Sequence, residues 1–234
     1  MKKIVVLSGA GISAESGIST FRDAGGLWEN YDIMEVASID GWHKNPGLVL
    51  DFYNARRRQL HEVHPNPGHT ALVNLESHYH VRIITQNVDD LHERAGSSNI
   101  LHLHGELFKA RSTKKASLIY EWKKDILLGD ACELGSQLRP HIVWFGEMVP
   151  MIEPAALEVA MADVIIVVGT SLQVYPAAGL LGLAQETAKI FYVDPKPSFS
   201  YEMNFLKNLK TVSEKASTGI PKVVDELLSQ KLQI

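Results

Sequence analysis

Cysteine is almost absent: Cys132 is the only one in 234 residues. One thiol cannot close a disulfide within the chain, so a disulfide scaffold is excluded, and the usage fits a reducing, cytoplasmic setting. No apolar run approaches the roughly 18 residues of a membrane span, and Met1-Lys2-Lys3 leads into too short an apolar run for a secretory signal. Positive charge is not in excess. The 23 Lys and Arg stand against 27 Asp and Glu, a net charge of −4, which removes the general electrostatic case for nucleic acid or an anionic membrane as partner. Long repeats and low-complexity tracts are missing too. What remains is an ordinary globular composition, 45% hydrophobic and 21% charged, long enough for one domain or for one domain with insertions.

The stretch Lys2–Arg22, KKIVVLSGAGISAESGISTFR, organises the rest. Ile4–Leu7 is a short β-branched run, the pattern of a buried parallel strand. Gly9-Ala10-Gly11-Ile12-Ser13-Ala14 then gives the spacing G-x-G-x-x-A. Gly9 suits a tight turn, Gly11 lets backbone N–H groups approach a pyrophosphate, and a helix N-terminus faces the phosphate charge. An ordinary strand-to-helix turn is the alternative. A dehydrogenase half would continue with a long helix and an acid-tipped second strand. Here Gly17 cuts the helix, Ser19–Gly26 is loop-like, and no convincing second strand appears before Val81. Plain hydride transfer is therefore disfavoured.

Asn45-Pro46 marks a helix start, and Leu48–Leu60 carries apolar residues on a helical period. Tyr53 and Arg56 lie three apart and share a face. A guanidinium fork and a phenol make a carboxylate receptor, whereas Arg57 and Arg58 have the pattern of a solvated face. Residues 69–79 suggest a helix. Val81–Thr85 is a second buried strand running into Gln86-Asn87-Val88-Asp89, polar groups at a strand's carboxyl end where α/β sheets bind ligands; helix capping by Asn87 or Asp89 competes. In Ile100–His104 the two histidines alternate with leucines. His104, at the strand end before Gly105, suits a general base, and His102 a structural hydrogen bond. A metal site on this pair lacks a nearby acid or thiol. Residues 109–140 form a polar, turn-rich insertion. Arg139–Glu147 is a strand leading into a loop, able to pair with an extended peptide or to be buried with its aromatics. Asp163–Gly169 is the strongest buried strand. Gly169-Thr170-Ser171 makes a second small hydroxyl turn, and Lys189–Val193 ends at Asp194, placed for ribose hydroxyls or for a turn before proline. Lys215–Gly219 suggests a small-residue loop before a last helix at Pro221–Lys231. The fold class expected is α/β: a Rossmann-like doubly wound parallel sheet, residues 1–29, 69–109 and 141–234, with a smaller inserted lobe from 30–68 and 110–140, and the ligand cleft between them.

GAGISAESGISTFR, TQNVDDLH, LHLHGEL, RPHIVWFGE and VGTSLQVYPAA resemble, in order and spacing, the sirtuins, NAD-dependent protein-lysine deacylases. The resemblance implies that Gly9, Ala10, Gly11, Ile12, Ser13, Ser16, Gly17, Thr20, Phe21, Arg22 and Trp28 hold the NAD phosphates and shape the cofactor loop. It implies that Gln86, Asn87, Val88 and Asp89 line the nicotinamide and ribose pocket, and that Gly169, Thr170, Ser171, Asp194 and Ala216 hold the adenosine side, although the family usually has Asn where Asp194 stands. His104 would be the proton acceptor, and Val143, Phe145, Gly146 and Glu147 would engage an acyl-lysine protein or peptide. The implied reaction releases nicotinamide, lysine and O-acyl-ADP-ribose. Tyr53 and Arg56 match the Y-x-x-R pair of the branch resembling succinyl- and malonyl-lysine deacylases, with Ala24-Gly25-Gly26 leaving room. Most sirtuins hold a structural zinc on four cysteines; with Ser112 and Lys115 in that region and Cys132 alone, no zinc is expected, and Leu118, Tyr120 and Trp122 are expected to pack the lobe instead. ADP-ribosyl transfer to protein and a non-catalytic NAD-sensing module stay open as other uses of the cleft; the first needs no acyl channel and the second no His104. The sequence is silent on oligomeric state.

Overall fold

The computed structural model describes residues 1–19, 27–28, 31–172, 175–199 and 202–231. Its elements run β1 (Lys3–Ser8), α1 (Ala10–Ser13), β2 (Leu27–Trp28), β3 (Tyr31–Asp32), α2 (Ile33–Val36), α3 (Ile39–Lys44), α4 (Pro46–Glu62), α5 (Pro67–Val73), β4 (His80–Thr85), α6 (Leu91–Ala95), β5 (Ile100–His102), β6 (Gly105–Ser112), β7 (Ile119–Glu121), β8 (Leu138–Ile142), α7 (Ile152–Ala160), β9 (Val164–Val168), β10 (Lys189–Val193), β11 (Leu209–Val212) and α8 (Ala216–Lys231), with 3-10 turns at Ala14–Ser16, Ala177–Leu183 and Glu202–Phe205.

Six strands form one sheet in the order β11-β10-β9-β1-β4-β5, and every neighbouring pair is parallel. Counted by chain position from the β5 edge, that order is 3-2-1-4-5-6. The direction of winding reverses between β1 and β9, and such a reversal opens a crevice at the carboxyl ends of the two strands. β1 sits in the middle because its residues are apolar on both faces. Ile4 and Val6 join Leu72, Ile166, Phe191, Ile220 and Val224 in one core. Val5 and Leu7 join Ala155, Val159, Ile165, Val167 and Leu180 in the other. Alternate residues of one run thus feed opposite layers, as a sheet covered by helices on both faces requires.

A second, antiparallel sheet, β7-β6-β8, lies with α2–α4 around a third core containing Val36, Trp42, Phe52, Tyr53, Leu60, Leu107, Phe108, Ile142 and Trp144, against which Leu118, Tyr120 and Trp122 pack. α4 starts where the sequence indicates: the Asn45 side chain accepts the Leu48 amide at 3.1 Å and Pro46 takes the first turn. Two expectations are corrected. α8 begins at Ala216, not Pro221, because Glu15 caps its first turn, accepting Ser217 N at 3.1 Å and Ser217 Oγ at 2.8 Å. Arg57 is buried, not solvated. Its guanidinium donates to Leu107 O at 3.0 Å and Asn54 Oδ1 at 2.7 Å, while Asn54 in turn clasps both backbone groups of Ile126. Arg58 is the exposed one, paired with Asp125 at 2.5 Å. Among the described residues no helix is long and apolar enough to cross a membrane.

Candidate active site

The turns that follow β1 and β9 are locked together at the switch point. Gly9 N donates to Val168 O at 3.1 Å and Gly11 N to Gly169 O at 2.8 Å. A Cβ on Gly11 would lie 2.6 Å from Gly169 Cα, one on Gly9 2.6 Å from Thr170 Cβ, and Gly169 itself has φ +62° with Ile12 N against its missing side chain. The glycine spacing is therefore needed first for the contact between two turns. This adds to the expected reason: the amides of Gly9 and Gly11 serve backbone carbonyls, and what the pair would contribute to a phosphate site is a cradle without side chains, behind the first turn of α1.

Around this cradle the carboxyl end of β4 supplies side chains. Gln86 Nε2 donates to Thr170 Oγ1 at 3.0 Å and so ties the β4 and β9 ends together. Asn87 Nδ2 donates to Ser13 Oγ at 3.0 Å, and Ser13 Oγ donates to Asp89 Oδ2 at 3.0 Å. The other Asp89 oxygen accepts Leu91 N at 3.1 Å, so Asp89 also starts α6. Burial raises the Asp89 carboxyl to about 6, against the lowering effect of its Leu91 and Ser13 bonds. Behind Ser13 stands His69, a residue the sequence pattern does not single out. Its Nδ1 accepts Asn66 N at 3.3 Å, leaving Nε2 as the protonated nitrogen facing Ser13 Oγ at 3.5 Å. Burial lowers its pKa to about 4, so the ring is neutral. The signal for it is the N-P-x-H spacing of a capping box at α5.

His104 occupies the same rim. Its Nδ1–H donates to Gln86 O at 3.0 Å, which leaves Nε2 as the lone-pair nitrogen. Burial lowers its pKa, partly countered by that carbonyl. His102 is held apart by Asn87 O at 3.2 Å and Glu93 at 2.7 Å. Among the described residues no three His, Cys, Asp or Glu are grouped to hold a metal ion. Ser16 Oγ accepts Asn66 Nδ2 at 3.0 Å, Gly17 closes the first turn at φ +99°, and the Val88 carbonyl accepts Leu107 N at 2.8 Å. Ser171 follows the second turn half-buried, Ala216 is buried at the start of α8, and the buried Asp194 accepts Lys196 N at 2.8 Å, a turn at the end of β10. Trp28 pairs through its backbone with Tyr31. Thr20, Phe21, Arg22 and Ala24–Gly26 lie outside the described residues.

The segment expected to meet a peptide is a strand leading into a loop, as its sequence suggests. β8 stops at Ile142. Val143 N donates to His104 O at 2.9 Å, Phe145 N to Ala37 O at 2.9 Å, and Phe145 O accepts Ile39 N at 3.4 Å, so these groups already pair within the chain. The Glu147 carboxylate accepts from Arg111 at 2.8 and 3.0 Å and from Arg139 twice at 2.8 Å. Burial alone would raise its pKa, but the arginines and the Trp144 amide hold it below the usual range. Its side chain is thus a brace inside the lobe. Gly146 turns the chain at φ +87°, leaving Phe145 exposed.

Tyr53 and Arg56 share one face of α4 inside the small lobe. Tyr53 is fully buried and accepts the Trp144 indole N–H at 2.9 Å. The Arg56 guanidinium stacks 3.3 Å from the Phe52 ring centroid and donates to Phe52 O at 3.1 Å. Two adjoining residues, Val143 and Trp144, connect the His104 rim to this pair.

A 3-2-1-4-5-6 sheet with a bare-backbone cradle at its switch point and a side lobe defines a dinucleotide-binding enzyme class. A family model described as the Sir2 family matches residues 9–176. The chain is 57% identical over 233 residues to an NAD-dependent protein deacylase of Helicobacter pylori strain J99, covering 100% of this chain and 98% of that one. It is 50% identical over 234 residues to an NAD-dependent protein deacylase of Bacteroides thetaiotaomicron, covering 97% and 99%. A crystal structure of a Sir2 homologue–NAD complex superposes with a TM-score of 0.87 at 38% identity, covering 98% of this chain and 90% of that one. The chain belongs to the Sir2 family of NAD-dependent protein deacylases.

Proposed function

We propose that this deacylase acts on acyl-lysine peptides whose acyl group ends in a carboxylate, succinyl and malonyl in preference to acetyl. The observation that carries the reading is the buried Tyr53–Arg56 face, joined through Trp144 and Val143 to the His104 carbonyl. A fixed guanidinium and a protonated phenol in an apolar lobe reward a terminal carboxylate with charge-assisted hydrogen bonds, which a methyl group cannot accept. Burial pushes the Tyr53 pKa up, so its proton stays in place as a donor.

The residues at the switch point fit NAD. The glycine cradle and α1 would receive the phosphates, Ser13, Asn87 and Asp89 the nicotinamide ribose, and Asp194 and Ala216 the adenosine side. When bound, NAD would supply a glycosidic bond whose cleavage makes transfer of the acyl group from the lysine amide favourable. The chain's own part is orientation and one proton. Gln86 O holds His104 Nδ1–H, so Nε2 accepts a hydroxyl proton at the rim. Arg56→Met is expected to lower kcat/KM for a succinyl-lysine peptide about 30- to 5,000-fold, the range for removing one partner of a buried charge pair, with acetyl-lysine turnover affected far less. Mass-spectrometric rates on the two peptides decide it; an equal fall in both defeats the carboxylate assignment.

A further inference from the structure

We infer that Trp144 is a specificity-determining positioning residue: its indole N–H turns the Tyr53 hydroxyl so that the phenol donates to the acyl carboxylate. The inference rests on the proposed carboxylate selectivity and adds to it a residue that touches neither cofactor nor the Y-x-x-R pair's own backbone turn.

An indole nitrogen can only donate, whereas a phenol both donates and accepts. The 2.9 Å contact between Trp144 Nε1 and Tyr53 Oη therefore has one direction, with the phenol oxygen accepting. Its single O–H must point elsewhere, and among the described residues it meets no acceptor. For a hydroxyl on a fully buried side chain this is an uncommon state, since buried donors are nearly always satisfied. A ligand with an anionic oxygen completes it.

The indole is held rigidly enough to set that direction. The Arg139 guanidinium lies 3.4 Å from the Trp144 ring centroid, and Arg139 is itself gripped by Glu147, which also accepts the Trp144 amide at 2.9 Å. Trp42 also packs against this indole, at 5.6 Å between centroids. The Arg111–Glu147–Arg139 cluster thus reaches substrate choice through Trp144, although its charges are spent on one another.

The test compares kcat and KM on succinyl-lysine and acetyl-lysine versions of one peptide for the wild type, Trp144→Phe, Tyr53→Phe, the double variant and Arg56→Met. Trp144→Phe is expected to raise the succinyl KM about five- to tenfold, the worth of one oriented neutral hydrogen bond, and to lower the succinyl-to-acetyl kcat/KM ratio. The double variant is expected to lose no more than Tyr53→Phe alone, because both remove the same donor. Replacing Trp144 by benzothienylalanine, which keeps the ring and removes only the N–H, reports the same loss if Trp144→Phe melts at a lower temperature than the wild type. A ratio unchanged in the benzothienylalanine protein, or losses that add in the double variant, overturns the role of Trp144. If Arg56→Met lowers the ratio while the indole changes do not, the carboxylate receptor stands and this inference falls. If neither Arg56→Met nor Tyr53→Phe changes the ratio, the receptor itself falls.

Discussion

His104 shows how one side chain is tuned by its surroundings. Burial lowers its pKa, so the base form of the imidazole persists to lower pH than in an exposed histidine. The acid limb of kcat/KM is therefore expected to have its midpoint below the free-histidine value of about 6.5, and His104→Ala to lose at least about 100-fold. A rate profile from pH 5 to 8 checks both; a limb centred above 6.5 contradicts the desolvated site. His104 could be singled out in the sequence because a histidine alternating with leucines before glycine is a local pattern, although β5 itself ends at His102. Arg57 was not, since a run of three arginines says nothing about which one meets Leu107 O and Asn54 across the lobe. The bracing of Glu147 was hidden for the same reason: its partners Arg111 and Arg139 are chosen by the β6–β8 pairing, which local pattern does not encode.

Among elements, the two turns after β1 and β9 form one unit. Gly169→Ala puts a Cβ against Ile12 N in a left-handed residue. Its expected cost is about 3 kcal/mol or more, a fall in melting temperature of roughly 6–12 °C for a chain of this size, together with weaker NAD binding because the cradle shifts. Thermal melts with and without NAD measure it; wild-type values in both would contradict the interlocked turns. The strands were readable because residues buried on both faces leave an unbroken apolar run, as in Val164–Val168. The start of α8 was not, because its capping carboxylate, Glu15, lies 202 residues away.

At the scale of the whole molecule, the small lobe has its own core, and its single thiol sits between two serine hydroxyls. Cys132 Sγ lies 3.3 Å from Ser112 Oγ and 3.2 Å from Ser136 Oγ, and Ser112 Oγ also accepts the amides of Lys114 and Lys115 at 3.1 Å. A chelator is expected to leave the melting temperature unchanged, and metal analysis of the pure protein to find well under one zinc per chain. One stoichiometric zinc, or a chelator-induced drop, contradicts it. The two-lobed plan was legible from the alternation of apolar strands with polar insertions. The way the third core draws Leu107, Phe108 and Trp144 in beside α4 was not, because it depends on how β6 and β8 pair.

The place of β1 in its sheet also bears on how the protein is made. A chain emerging from the ribosome delivers β1 well before β9, so one flank of β1 waits for that strand, whose Val164 aligns with Ile4. Contacts so distant along the chain form slowly. Until residue 169 is out, Gly11 has no carbonyl to meet, and the seat for the dinucleotide comes into being late, in the same event that closes the middle of the sheet.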